Sequence, residues 1–478
     1  DVTGGLISID GNGLEGLDVP EASVIARQIV LSGYISDAFR LDLVSGGLRY
    51  DYSPNLGGDV QSAITENSLS NAGISYQIDA STLSSVSAGM INIIGNDDGV
   101  GVRLRGDITA STSDLVIDAD GNLTITSNLA SERDTDITTG GTASSLTNSG
   151  TIDADRDLSI TTTGAVTNDG SLSASRRVTI DADGNLTNNA GKTISASQVM
   201  ISDAADVTNN GTISAGLNKF LFTADGDEAD LSELATDIAN AINENEGFQG
   251  FFAYIPPGTT PGVIFINIEP PYHFSDMTID VAVPTTGSDT QTFTYTSTGA
   301  TTARLDITGA IEAGDQFQIR AYGDVTIGTS ASKVGSLTNS GSGATITSYD
   351  DISAAASGTI SNASSASITA DDDISLTADG LLTQGSAVTA GGDLTLSGGD
   401  LSLASGAGIS SRATGTLSLI ETASGSDFTY AGQSITGNTA LSIQVDDLFD
   451  LSSALTAPGD ISIIAGRVTS GQNIVAGD

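Results

Sequence analysis

The chain has 478 residues, with 59 acidic side chains against 16 basic ones and a formal charge of −43. Such a field repels nucleic acid and anionic membrane, so neither is expected as a partner. With no Cys and one His (His273), the chain has no means of forming a disulfide framework, a thiolate metal site or a His-based site repeated along its length.

No apolar run is long enough for a membrane-crossing helix, and no signal peptide opens the chain. Asp1 follows no Met, and Asp478 lacks a polar capping segment, so the molecule is expected to be a processed or internal fragment that continues past residue 478.

Residues 1–106 are rich in short alternating runs without a fixed step. Two sets of stretches stand out in order. The first is residues 5–14 (GLISIDGNGL) and 23–31 (SVIARQIVL), followed by 41–46 (LDLVSG) and 49–52 (RYDY). The second is residues 87–95 (SAGMINIIG) and 98–103 (DGVGVR).

From residue 107 to 224 one phrase returns at a near-constant step. Leu146-Thr147-Asn148-Ser149-Gly150 comes back as Val166-Thr167-Asn168-Asp169-Gly170, then from Leu186 and from Val207, so that Asn148, Asn168, Asn188 and Asn209 lie 20, 20 and 21 residues apart. A step of that size marks a solenoid, whose units bury their apolar side against their neighbours. Between the phrases run Leu158-Ser159-Ile160, Val178-Thr179-Ile180 and Val199-Met200-Ile201, which alternate with period two. There are too few Leu per unit for a leucine-rich repeat. A right-handed parallel β-helix of about 20 residues per coil is expected, all-β, with coils about 4.8 Å apart. The four asparagines would then stack as an amide ladder; the alternative is that Asn and Gly recur because turns favour them.

These stretches resemble filamentous haemagglutinin-type exoproteins, which are exported by two-partner secretion. Residues 5–52 are similar to the later part of their secretion domain, and 87–103 to the segment where that domain passes into repeats. Residues 106–215 resemble haemagglutinin repeats. The first part of the secretion domain is absent, and Asp97 or Asp98 stands where the family pattern has Glu. The resemblance implies a secreted cell-surface adhesin or stalk. It also implies an outer-membrane β-barrel transporter as export partner, and a host- or neighbour-cell receptor, a glycan or copies of the chain itself as contact partner.

At residue 225 the composition shifts. Six of the nine prolines (256, 257, 261, 270, 271 and 284) fall in one short stretch. Asp230-Leu231-Ser232-Glu233 is a capping-box pattern, and Leu231, Leu234, Ala235, Ile238, Ala241 and Ile242 fall on one helical face before Gly247. Alternating runs follow at 251–255, 263–268, 277–283 and 290–296. A small α+β domain over 225–302, inserted at a coil turn, is expected. Lys219–Gly226 aligns with Arg177–Gly184, so the chain is expected to depart at a coil turn, with residues up to 224 assigned to the coils. Phe251, Phe252, Tyr254, Tyr272 and Phe274 read either as that domain's core or as a contact patch, with Tyr254 or Tyr272 exposed at its rim.

Coil rhythm is expected again over 303–478. Ser336-Leu337-Thr338-Asn339-Ser340-Gly341 repeats the phrase outright, and the later units are more loosely spaced. About 390 solenoid residues would make a stack on the order of 90 Å long.

Carboxylates invite a search for calcium at Asp118–Gly121, Asp181–Gly184 and Asp371-Asp372-Asp373, but the ligand spacing of a calcium loop is incomplete, and no metal, cofactor or catalytic residue is assigned. Parallel β-helices also house polysaccharide lyases and hydrolases. Arg176 and Arg177 with Asp155 and Asp157 would be the candidates, without the cleft and aromatic platform such a site needs. A self-assembling filament or sheath is the remaining alternative.

Overall fold

The computed structural model describes residues 5–53, 57–63, 74–142, 144–216, 218–223, 231–244, 251–256, 261–268, 278–280, 292–297, 302–308, 316–321, 323–404, 407–411, 415–436 and 439–477. The chain divides into two compact units, Asp1–Ser214 with Asp324–Asp478, and Ala215–Gly323.

The first unit is a parallel β-solenoid. One coil consists of Ser145–Asn148, Thr151–Ala154 and Asp157–Thr162, three short strands on three faces. Every second residue points inward, as period-two alternation requires. Each strand pairs in parallel with its counterpart one coil on: Leu146 with Val166, Ile152 with Leu172, Leu158 with Val178. The first face alone is a 13-stranded sheet. Inward apolar residues therefore stack in columns, and Leu146, Val166, Leu186, Val207, Leu337, Ile360 and Leu382 are all buried. Each such side chain contributes about 2 kcal/mol of burial before its entropy cost.

The Gly of the repeated phrase is required by close approach. A Cβ on Gly150 would lie 1.9 Å from the Ser127 carbonyl oxygen, and one on Gly170 1.9 Å from that of Gly150. Corners that tight keep successive coils in register.

Both ends of the solenoid depart from this pattern. In the first coils the strands Tyr34–Ser45 and Ser85–Gly95 run through a corner, and an antiparallel hairpin, Leu48–Ser53 with Gly57–Ala63, leaves the coil. Near the other end the first face breaks after Asp400–Leu403 and resumes as a separate sheet of Asp427–Tyr430, Leu448–Leu451 and Arg467–Ser470. Side chains bridge the break: Glu421 Oε1 accepts the Leu401 N–H at 2.9 Å, and Gln433 Nε2 donates to the Leu403 carbonyl at 2.6 Å. Beyond it Phe428 and Phe449 stack in the interior, ring centroids 5.9 Å apart.

The second unit has one helix, Leu231–Glu244, whose Leu234, Ala235, Ile238, Ala239 and Ile242 are buried. A four-stranded antiparallel sheet runs in the order Phe251–Tyr254, Val263–Ile268, Thr302–Thr308, Thr292–Ser297. A three-stranded sheet joins Asn218–Thr223, Gln316–Ala321 and Thr278–Asp280. The unit is thus longer than the 225–302 read from sequence. Lys219–Thr223 is not a coil strand: it pairs antiparallel with Gln316–Ala321, and the coil strand expected there is supplied by Val325–Ile327 after the unit closes. Nor do coils resume near residue 303, because Thr302–Thr308 belongs to the antiparallel sheet. Asp230 and Gly247 lie outside the described residues.

Candidate functional site

The four asparagines of the repeat lie in one buried column. Asn148 Nδ2 donates to Asn168 Oδ1 at 3.0 Å, Asn168 to Asn188 at 2.9 Å, and Asn188 to Asn209 at 2.8 Å. Each amide also donates to a backbone carbonyl on the next coil (Ser171, Thr193 and Thr212). The Oδ1 atoms of Asn148, Asn168 and Asn209 accept the N–H of the Gly two residues on, which closes the corner.

The column extends further than the four. Asn209 donates to Asn339 at 2.9 Å and Asn339 to Asn362 at 2.9 Å. By register the positions before Asn148 are apolar (Ile9, Leu31, Ala80, Leu104, Ile125), and those after Asn362 are Gln384 and Leu403. Gln384 is buried but its amide makes no hydrogen bond, and Asn362 Nδ2 is also without a partner. One extra methylene carries the Gln amide out of step with the Asn amides beneath it.

At the corner between the second and third faces, charge is arranged differently in the two halves of the coil stack. Arg156 pairs with Asp134, and Arg176 with Asp157 at 2.6 Å, each reaching back one coil. Arg177 Nε donates to Gln198 Oε1 at 2.6 Å. Arg176 and Asp157, offered as catalytic candidates, are therefore joined in a coil-to-coil ion pair. Along the same column, after residue 323, Asp324, Asp351, Asp373 and Asp393 follow one another. Asp351 accepts the Asp373 N–H and Asp373 the Asp393 N–H, so each carboxylate satisfies the backbone one coil on.

Two triads here bring carboxylate oxygens within 4.8 Å of one another, Asp324-Asp350-Asp351 and Asp351-Asp372-Asp373. Among the described residues these are the groups that could hold a metal ion, and Asp371 belongs to neither. Burial first, then the charges of Asp324, Asp351 and Asp372, push the Asp350 carboxyl up to about 7. Asp118 and Asp181 point outward from coil strands, and Ser202 donates to Asp181 at 3.3 Å.

The first coils join the two early sequence stretches. Arg27 Nη1 donates to Asp97 Oδ1 at 2.6 Å, both side chains buried. Asp97 also accepts the Gly47 N–H at 2.8 Å, and its own N–H donates to Gln77 Oε1 at 3.0 Å. Asp98 instead is exposed and bonds Thr142, first through the backbone N–H and then through the hydroxyl, which holds its carboxyl below the usual range. Spacing alone could not have found the Arg27 pair, because its partners are 70 residues apart.

On the second unit the aromatics divide by strand alternation. Ala253, Ile264, Ile266 and Leu305 are buried, while Phe252 is 54% exposed and Tyr254 half-buried. Among the described residues of this sheet the inward side chains are aliphatic, Phe252 lies outside the core, and Tyr254, expected at the rim, is partly covered. Tyr254 stacks on Phe252 (6.2 Å) and meets Phe265 at a tilt (5.9 Å), and the Arg304 guanidinium lies 5.8 Å from the Phe265 ring. Asn243 of the helix exchanges two hydrogen bonds with Ala253, fixing this edge strand. Tyr272, with Phe274 and His273, lies outside the described residues.

Short coils, stacked inward aliphatics and an Asn-x-Gly corner define a repeat protein built for length. The family model that matches is the haemagglutinin repeat, at residues 43–127, 130–216, 294–364 and 349–421, which is more than half of the chain. The chain belongs to this family, that of filamentous haemagglutinin-type exoproteins. It is 29% identical over 124 residues to the tRNA nuclease CdiA-2 of Burkholderia pseudomallei (strain 1026b), covering 26% of this chain and 4% of the relative. It is 31% identical over 157 residues to the toxin CdiA of Yersinia pestis, covering 32% of this chain and 4% of the relative. The matched part is thus a small fraction of either relative. No solved structure matches.

Proposed function

We propose that the chain is the coil segment of a secreted bacterial cell-surface adhesin, with the unit Ala215–Gly323 as its contact element. In this reading an outer-membrane β-barrel transporter exports the chain, and each coil templates the next as it emerges. Tyr254, with Tyr272 as a second candidate, meets a receptor or glycan on a host or neighbouring cell. The observation that carries the proposal is the row Phe252-Tyr254-Phe265 with Arg304, an aromatic surface of the kind that dominates binding hot spots. Coils of this kind would equally carry a toxin outward, as the names of the two relatives suggest for those proteins. We assign no catalysis to the coils, since Arg176 and Asp157 hold each other.

The test is adhesion of the labelled chain to epithelial and bacterial cells. Tyr254→Ala and Phe252→Ala should each lower bound chain several-fold without changing the melting curve. Undiminished adhesion by the double variant would reject this contact surface. Self-association of the wild type that the same substitutions abolish would favour the assembly reading.

A further inference from the structure

The first coils carry a groove on the solenoid itself. Val19, Ala38, Ala88 and Ala110 are consecutive rungs by register, so the residues that follow them, Pro20, Phe39, Gly89 and Ser111, climb one corner of the stack. Outward positions on later coils are mostly Ser, Thr and Asp. Here Phe39 stands 69% exposed, and the rung above it has no side chain. Gly89 must stay a glycine, since a Cβ would meet the Phe39 carbonyl oxygen at 2.5 Å and Thr112 Oγ1 at 2.8 Å. The result is a shallow groove open to solvent, about 600 Å³, with Phe39 and Pro20 towards one end, Ser111 and Thr112 towards the other, and Asp18 and Asp37 along it. That volume falls in the range of small-ligand sites.

We infer that this groove is a saccharide subsite for neutral oligosaccharides. The aromatic and proline rings offer a flat apolar wall for the C–H face of a pyranose. The two carboxylates accept hydrogen bonds from sugar hydroxyls, charge-assisted and so stronger than neutral ones, and the Ser and Thr hydroxyls supply both donors and acceptors. No Lys or Arg lines the groove, and the chain carries −43, so anionic glycans are disfavoured. An extended peptide finds no free strand edge, because Ala38 is paired on both sides. Asp18 and Asp37 hold left-handed backbone (φ 42° and 68°), a conformation Asn tolerates, so the carboxylates can be neutralised without disturbing the fold. The site is independent of the aromatic row on the other unit, and either could fail without the other.

Calorimetric titration of the whole chain tests this with malto-, cello- and chito-oligosaccharides, with polygalacturonate and spermidine as anionic and cationic arms. At least one neutral series should bind. Phe39→Ala should weaken it tenfold or more and Asp37→Asn severalfold, while Leu83→Ser, an exposed apolar control, should leave it unchanged. Melting curves should be unaltered, since Phe39 is largely exposed. The inference is overturned if no neutral oligosaccharide binds, if binding survives Phe39→Ala, or if polygalacturonate or spermidine binds in its place.

Discussion

Asn209 and Asn339 are 130 residues apart in sequence, yet the amide of one donates to the carbonyl of the other at 2.9 Å. The coils on either side of the unit Ala215–Gly323 stack as if that unit were not there: Val199 pairs with Val325, Val207 with Leu337 and Ile213 with Ile346. The chain leaves after the strand Thr212–Ala215 and returns at Asp324 to begin the next face.

This makes the unit removable. Ordinary coils turn the same corner with two residues, as in Ala154-Asp155-Arg156-Asp157 and Ala174-Ser175-Arg176-Arg177. Deleting 217–322 leaves Ala215-Gly216-Gly323-Asp324, a corner of the same length. The shortened chain should keep its β-sheet circular dichroism and melt within about 2 °C of the parent. A melt lowered by ten degrees or more would mean that the coils depend on the unit.

Substitution inside the ladder should be expensive. Asn168→Ala strips the buried Asn188 Oδ1 of a donor and the half-buried Gly170 N–H of its acceptor. Leaving such groups unmade costs about 1–3 kcal/mol each. Denaturant unfolding should show a loss of about 3 kcal/mol, and hydrogen exchange should quicken at Gly170 before it does at distant corners.

The end of the ladder offers a gain instead. Gln384 and Asn362 are buried with amide atoms unpaired. Gln384→Asn shortens the side chain by the methylene that puts it out of step, so that Asn362 Nδ2 gains an acceptor. A stabilisation of about 1 kcal/mol is expected by denaturant titration, and Asn362→Ala introduced alongside should erase it.

The coils were legible because a phrase repeated every 20 residues needs no partner to be recognised, and Asn339 shared it. Asn362 was missed because Ile360-Ser361-Asn362-Ala363 lacks the Gly that marks the corner elsewhere. The strands Asn218–Thr223 and Gln316–Ala321 misled for a physical reason: antiparallel and parallel strands alternate alike, and only the pairing distinguishes them. For Phe252 and Tyr254 the sequence left core and contact patch both open, since which side of a strand faces the helix is set by tertiary packing. The Arg27–Asp97 pair and the Phe39 groove arise from residues on different coils, and no local pattern announces either.

Stability should fall as pH rises through the acidic corner. Asp350 has its carboxyl raised from 3.8 to about 7 by burial and by Asp324, Asp351 and Asp372. A raised carboxyl binds its proton more tightly in the folded chain, so its contribution is complete below pH 3.8 and lost as pH climbs past about 7. The group is half-exposed, and screening reduces the effect. Asp350→Asn should raise the melting temperature at pH 8 by about 2 °C and leave it nearly unchanged at pH 4. The opposite order would place the repulsion elsewhere.

The buried pair in the first coils makes the sharpest prediction. Arg27→Met leaves Asp97 as an uncompensated charge among Gly47, Gln77 and apolar side chains, and breaking a buried ion pair this way costs about 3–5 kcal/mol. Replacing both partners removes the stranded charge, so Arg27→Met with Asp97→Asn, which keeps an oxygen for the Gly47 N–H, should recover most of that loss. Hydrogen exchange at 28–31 and 76–80 gives a local readout, because strands Gln28–Leu31 and Tyr76–Ala80 pair beside Arg27. Protection there should collapse in the single variant and return in the double one. If the double variant is as damaged as the single, the Arg27 side chain serves the coils through its packing and not through its charge.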